Sequence, residues 1–144
     1  MKPLIVMIAA LFSTATMGED FCILEGELNS PYAALSIETD WAVERWLEVT
    51  PIIVRPVIES IELSRQEMCA MARQGPNCNV VGMAWIGRMG PIYTVYGATN
   101  SVVIHEVGHA LGLRHLSYRR DVMYPVPTAV KLSGNDVRAI RSIY

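Results

Sequence analysis

Histidine is scarce in this chain: there are three in 144 residues, and all three lie between positions 105 and 115. Basic residues are also few, 12 Lys and Arg against 14 Asp and Glu, and they form no block. That excludes the electrostatic footprint needed to hold nucleic acid or an anionic membrane. Internal repeats, low-complexity tracts and long linkers are missing too, so nothing in the composition divides the chain. The apolar run at the amino terminus, Leu4 to Phe12, is too short for a transmembrane helix, which needs about 20 residues.

Lys2 precedes that run, and small and polar residues follow it through Gly18. This is the layout of a secretory signal peptide, with candidate cleavage points after Ala15 or Gly18; an uncleaved anchor is the alternative. A lipid-anchor reading fails because Cys22 lies well beyond the run. On this reading residues 1–18 are the signal peptide and 19–144 a single domain, long enough for one core and a cleft. The expected location is extracellular or periplasmic, with no stable membrane anchor. An oxidising compartment favours a disulfide, and of Cys22, Cys69 and Cys78 the pair Cys69–Cys78 is preferred. The intervening Gln74-Gly75-Pro76-Asn77 is turn chemistry that folds the chain back. Cys22 is then left over.

Against these absences stands a dense motif, His105-Glu106-Val107-Gly108-His109-Ala110-Leu111-Gly112-Leu113-Arg114-His115. Two imidazoles four residues apart share one helix face, with Cβ atoms roughly 5–6 Å apart, within reach of one metal ion. A straight helix cannot bring a third ligand to that ion from six residues further on. Gly112, lacking Cβ, can take the left-handed conformation that ends a helix and turns the chain back, so that His115 completes the set. Three protein ligands with a fourth position open to water is the catalytic zinc arrangement, whereas structural zinc sites are closed by four. Glu106, beside the first ligand, stands where it can accept a proton from that water. Apolar Val103, Ile104 and Val107 around it argue against a solvated surface charge.

The pattern His-Glu-x-x-His-x-x-Gly-x-x-His resembles that of the metzincin metalloproteases. Met123, eight residues after His115, is similar to the methionine of the family's Met-turn, which packs beneath the zinc site. Asp121-Val122-Met123-Tyr124-Pro125 and the stretch Leu132 to Ile140 resemble the end of a matrixin catalytic domain. Trp46 to Ile52 resembles the end of the first matrixin helix, and Val81 to Gly87 is more similar to the substrate-side edge strand of adamalysins. The resemblance implies an α/β (α+β) fold of the metzincin-like zincin type: a small twisted sheet, an active-site helix, a Met-turn and a C-terminal helix. It also implies Zn2+ on His105, His109 and His115, Glu106 as the catalytic acid–base group, and a protein or peptide substrate. Tyr124 and Pro125 then belong to the wall of a specificity pocket, not to the metal. Two departures accompany the match. No histidine remains for the second, structural zinc that matrixins usually carry, and Leu116 stands where matrixins usually have Ser and adamalysins Asp. Phe21-Cys22-Ile23-Leu24 also lacks the Pro-Arg-Cys-Gly-type sequence with which matrixin propeptides cap their zinc. Cys22 therefore reads as a free thiol or a partner disulfide ahead of a latency switch.

Local patterns give a mixed order of elements. Val43, Trp46, Leu47 and Thr50 fall at helical spacing, and Pro51 ends that helix. Ile52 to Val54 reads as a short strand, with Pro56 excluding a central sheet position. Ser64-x-x-Glu67 is a capping box for a short helix to about Arg73, with an irregular loop as the alternative. Val80 to Ile86 and Ile92 to Tyr96 read as strands separated by a turn over Gly87 to Pro91. Asn100 is the expected cap of a metal-binding helix from Ser101 to Leu111, and Ser133-x-x-Asp136 caps a last helix that turns Val137 and Ile140 inward.

Together these readings predict a secreted zinc endopeptidase, with an edge strand near Gly82 to Trp85 holding the peptide through main-chain bonds. A zinc-containing binding or toxin-like module and a small-molecule amide hydrolase are the alternatives.

Overall fold

The computed structural model describes the backbone of residues 21–25 and, with side chains, residues 39–50, 56 and 58–144. The expected signal peptide and the strand expected over Ile52 to Val54 lie outside the described residues. The described elements run β1 (Phe21–Glu25), α1 (Asp40–Leu47), β2 (Ser60–Leu63), α2 (Arg65–Met71), β3 (Val80–Trp85), β4 (Ile92–Val95), α3 (Asn100–Ala110) and α4 (Gly134–Ile143). The chain is thus a mixed α/β protein in which sheet, α3, Met123 segment and final helix follow in the order expected of a metzincin-like fold.

Among the described residues the four strands form one sheet in the order β1-β3-β4-β2. β3 is antiparallel to both β1 and β4, and β2 is parallel to β4. Met83 lies opposite Ile23 on one side and Tyr93 on the other, while Leu63 lies opposite Val95. Alternation along β3 sends Val81 and Met83 into one apolar cluster and Ala84 into another. The larger cluster joins α1, α3 and α4 through Trp46, Ile104, Leu111, Met123 and Ile140. Trp46 ties α1 to α3, its indole N–H donating to the Ile104 carbonyl at 3.0 Å. The smaller cluster sets Met68 of α2 against Val80, Val81, Met83 and Val95. A Cys69–Cys78 disulfide closes α2 onto the start of β3, the pairing expected from the turn between them.

Several expectations shift by a residue or more. The first helix ends at Leu47; the Glu48 N–H still reaches Glu44 O, and i→i−3 bonds, Val49 N–H to Trp46 and Thr50 N–H to Leu47, carry the turn on to Thr50. The segment after Ser64 is a helix with a reciprocal capping box, not a loop, and it stops at Met71 because Arg73 takes a φ of +57°. The cap of α3 is Thr99, not Asn100. Strand β2 was not expected; its short mixed sequence is held by parallel pairing with β4. The largest difference concerns Gly82 to Trp85. That stretch is interior to the sheet, because β1 covers the edge expected to be open.

Candidate metal centre

Helix α3 carries the site through the middle of the molecule. The Thr99 hydroxyl accepts the Val102 N–H at 3.4 Å, and every residue from Ser101 to Ala110 is buried. Such a helix is wrapped on all sides, so polar residues within it must be satisfied by each other or by a ligand. Its end is a Schellman turn: Leu113 N–H donates to Gly108 O at 3.0 Å and Gly112 N–H to His109 O at 2.9 Å. Gly112 has a φ of +116°, a conformation strained for any residue with a Cβ, which is how the chain reverses after the second histidine.

The reversal also orients that histidine. The Leu113 carbonyl comes back to within 2.7 Å of His109 Nδ1, and the Val122 carbonyl lies 2.7 Å from His105 Nδ1. A carbonyl can only accept, so both rings carry their proton on Nδ1 and present an unprotonated Nε2. His115, at the exposed rim, brings its Nε2 to 3.2 Å from that of His109. One ligand atom from each of the three histidines lies within 4.8 Å of the others. Two nitrogens bound at about 2.0–2.1 Å to a tetrahedral zinc are about 3.3 Å apart. His105 Nε2 and both Glu106 carboxyl oxygens are buried with no hydrogen-bond partner. Buried polar atoms left this way are costly, and three imidazoles beside a carboxyl are a donor set suited to a zinc-like cation. The residues fit the metal.

Burial dominates the electrostatics. It pushes His105 down to about 4, against a smaller upward pull from the Val122 hydrogen bond. It also holds His109 well below the usual imidazole value and lowers His115. The same desolvation raises the Glu106 carboxyl well above its ordinary range. Neutral imidazoles are the metal-binding form.

The floor of the site is built by residues the motif does not contain. Asp136 caps α4 and also accepts the backbone N–H of Val122 at 2.8 Å and of Met123 at 3.2 Å. Asp121, buried, accepts from Ser133 Oγ at 2.7 Å, Asn135 Nδ2 at 3.2 Å and the Tyr118 N–H at 3.1 Å. The Met123 carbonyl accepts the Leu116 N–H at 2.9 Å. Met123 itself packs under α3 at Gly108, where a Cβ would fall 2.4 Å from its Sδ and 2.9 Å from Trp46. Tyr144 closes the arrangement, its hydroxyl donating to Leu111 O at 2.6 Å. Capping chemistry at Ser133 signalled Asp136 in the sequence. Nothing local signalled its second role, nor those of Asp121 and Tyr144.

The structure thus gathers the imidazoles of His105, His109 and His115, with Glu106 next to His105 on α3 and Met123 against that helix at Gly108, and leaves Tyr124 half-buried beside Met123. Fold and cluster define a mixed α/β protein with a three-histidine group that could hold a metal ion, two of the imidazoles on α3 and the third beyond its end. Residues 95–144, which include α3, the Met123 segment and α4, match the family model of matrixin. Over 72% of its length the chain is 27% identical to human matrix metalloproteinase-26 and 34% identical to mouse matrix metalloproteinase-19. Over 30% of its length it is 42% identical to rat macrophage metalloelastase. The aligned parts span 48%, 24% and 10% of those proteins respectively, so the chain covers less than half of each.

Proposed function

We propose that this chain is a secreted zinc-dependent endopeptidase whose domain begins after a signal peptide over residues 1–18. The observation that carries the reading is the convergence of three imidazoles beside a buried carboxyl that has no other partner. His105, His109 and His115 would hold the zinc. When bound, zinc makes water more acidic and polarises a carbonyl. Glu106 takes the proton of the attacking water as its oxygen bonds to the peptide carbon. As the C–N bond breaks, Glu106 passes that proton to the leaving amine nitrogen. Between the two transfers Glu106 holds the proton. The Asp136–Val122–His105 chain of hydrogen bonds keeps the first ligand's ring in place. Tyr124 and Pro125 form the pocket wall that selects a substrate side chain.

Secretion is supported by the Cys69–Cys78 disulfide, which suits an oxidising compartment. No helix among the described residues is long and apolar enough to cross a membrane. Purified protein is expected to carry close to one zinc per chain, and its cleavage of an unfolded protein to stop on chelation and return with zinc. Zinc content that is negligible after gentle purification, and no different in His109→Ala, refutes the metal centre. Zinc present without cleavage of any unfolded protein favours the binding-module alternative.

A further inference from the structure

Charge is divided unevenly along the chain. Up to Asn79 there are 11 Asp and Glu against five Lys and Arg, and beyond it three against seven. Those three acids, Glu106, Asp121 and Asp136, are all buried, and the seven cations are all exposed. Every charged side chain that residues 80–144 offer to solvent is therefore positive.

Four of the seven lie beside the three-histidine group. Arg88 stands between Gly87, whose N–H donates to His109 O at 2.8 Å, and Met89, whose N–H donates to Ala110 O at 3.0 Å. Its guanidinium packs over Trp85, with Cζ 4.5 Å from the ring centroid, which holds the side chain without neutralising it. Arg114 directly precedes His115, and His109, lowered chiefly by burial, is lowered further by the Arg114 charge. Arg119 and Arg120 lie on the loop that joins His115 to Met123. Four residues of chain span at most about 14 Å, so Arg119 Cα stays within that distance of His115 Cα. The loop is closed by the Leu116 N–H on Met123 O at 2.9 Å and held at Asp121, whose carboxylate accepts the Tyr118 N–H at 3.1 Å. Among the described residues neither Arg119 nor Arg120 has a hydrogen bond or an ion pair.

Charges of one sign beside a site raise the local concentration and association rate of oppositely charged partners. Glu106, fully buried, adds no opposing charge to that surface. On a chain of net charge −2 without a continuous basic block, separate arginines suit a few carboxylates, not a long polyanion. We propose that Arg88, Arg114, Arg119 and Arg120 form an electropositive rim beside the metal-binding group, which selects peptides carrying acidic side chains near the bond to be cut. This rests on the endopeptidase reading and names its substrate class.

The test uses the full chain loaded with zinc and two fluorescent peptides. One is Glu-Glu-Ala-Leu-Ala-Leu-Ala-Glu-Glu, and the other has Gln for each Glu, so that the two differ in charge alone. Titrated in a Glu106→Gln background, where nothing is cleaved, the acidic peptide should bind at least about tenfold more tightly at low ionic strength. The gap should close in about 1 M salt, where the screening length falls to about 3 Å. Arg119→Gln/Arg120→Gln should reduce the preference at least about threefold. Arg73→Gln/Lys131→Gln removes the same charge from other parts of the surface and should keep the preference within about twofold. With Glu106 intact, kcat/KM should show the same order of peptides and variants. Equal binding of the two peptides by protein that retains zinc overturns the proposal. So does a preference that Arg119→Gln/Arg120→Gln leaves intact, or that Arg73→Gln/Lys131→Gln lowers equally. Equal peptide binding beside tight, Arg119- and Arg120-dependent binding of a sulfated polysaccharide also overturns it and assigns the rim to a polyanion. Charge-selective binding without cleavage of either peptide or of an unfolded protein upholds the rim and defeats the endopeptidase reading. Cleavage of both peptides with equal kcat/KM does the reverse.

Discussion

Burial drives Glu106 and its histidine neighbours in opposite directions, and the metal-free protein should show both in its stability. His105 titrates near 4 when folded and near 6.5 when unfolded, so below about 6.5 only the unfolded chain gains the proton. Its contribution is intact above that value and is lost as the pH falls from about 6.5 to about 4, roughly 3 kcal/mol in all. His109, lowered for the same reason, adds to the loss. Glu106 works the other way: its raised pKa stabilises the fold below the ordinary carboxylate value, and the benefit is lost as the pH rises from there. Zinc-free Glu106→Gln should therefore be more stable than the parent at pH 7–8, with the difference shrinking towards pH 4. Urea midpoints measured across that range check both signs. A Glu106→Gln variant that is less stable at every pH would mean that the carboxyl has a partner in the folded protein.

Among the elements, α3 and the Met123 segment depend on close approach at Gly108. Trp46 is held by its bond to Ile104 O, and Met123 is fully buried, so neither can easily yield to a new Cβ. Gly108→Ala should destabilise by about 1–3 kcal/mol despite the better helix propensity of alanine. By moving Met123 and with it the Val122 carbonyl, it should also weaken zinc binding about tenfold or more. Chemical denaturation and competition with a chelator measure the two effects separately. The disulfide is a second element-level device, closing a loop between positions nine apart. Cys69→Ala/Cys78→Ala should cost about 2–3 kcal/mol in the chain-entropy account, with zinc affinity unchanged.

These elements also show what a sequence can disclose. Side-chain caps are local chemistry, so Ser64 and Ser133 were legible, and so was the glycine that reverses the chain after His109. Thr99 and Asn100 are both competent caps, and only the extended backbone at Thr99 decides between them. β2 was not legible because four mixed residues become a strand only through a partner 32 positions away, Ser60 opposite Ile92. The interior position of β3 was half legible. Its unbroken apolar run is what a strand with neighbours on both sides requires, but the identity of the second neighbour depends on pairing some 60 residues distant in sequence.

At the scale of the molecule, the larger apolar cluster takes in most of the apolar residues of α3 and the smaller one reaches it through Val102, while Asp136 of α4 and Tyr144 just beyond it pin the floor of the site. The centre is thus held in place by the whole fold, while the proton chemistry is assigned to one residue. The most direct test is Glu106→Ala in zinc-loaded protein, comparing zinc content with the rate of cleavage of an unfolded protein substrate. Zinc should remain close to one per chain while cleavage falls at least about a hundredfold, the usual scale of general acid–base catalysis. Cleavage at the parental rate with zinc retained would contradict the account.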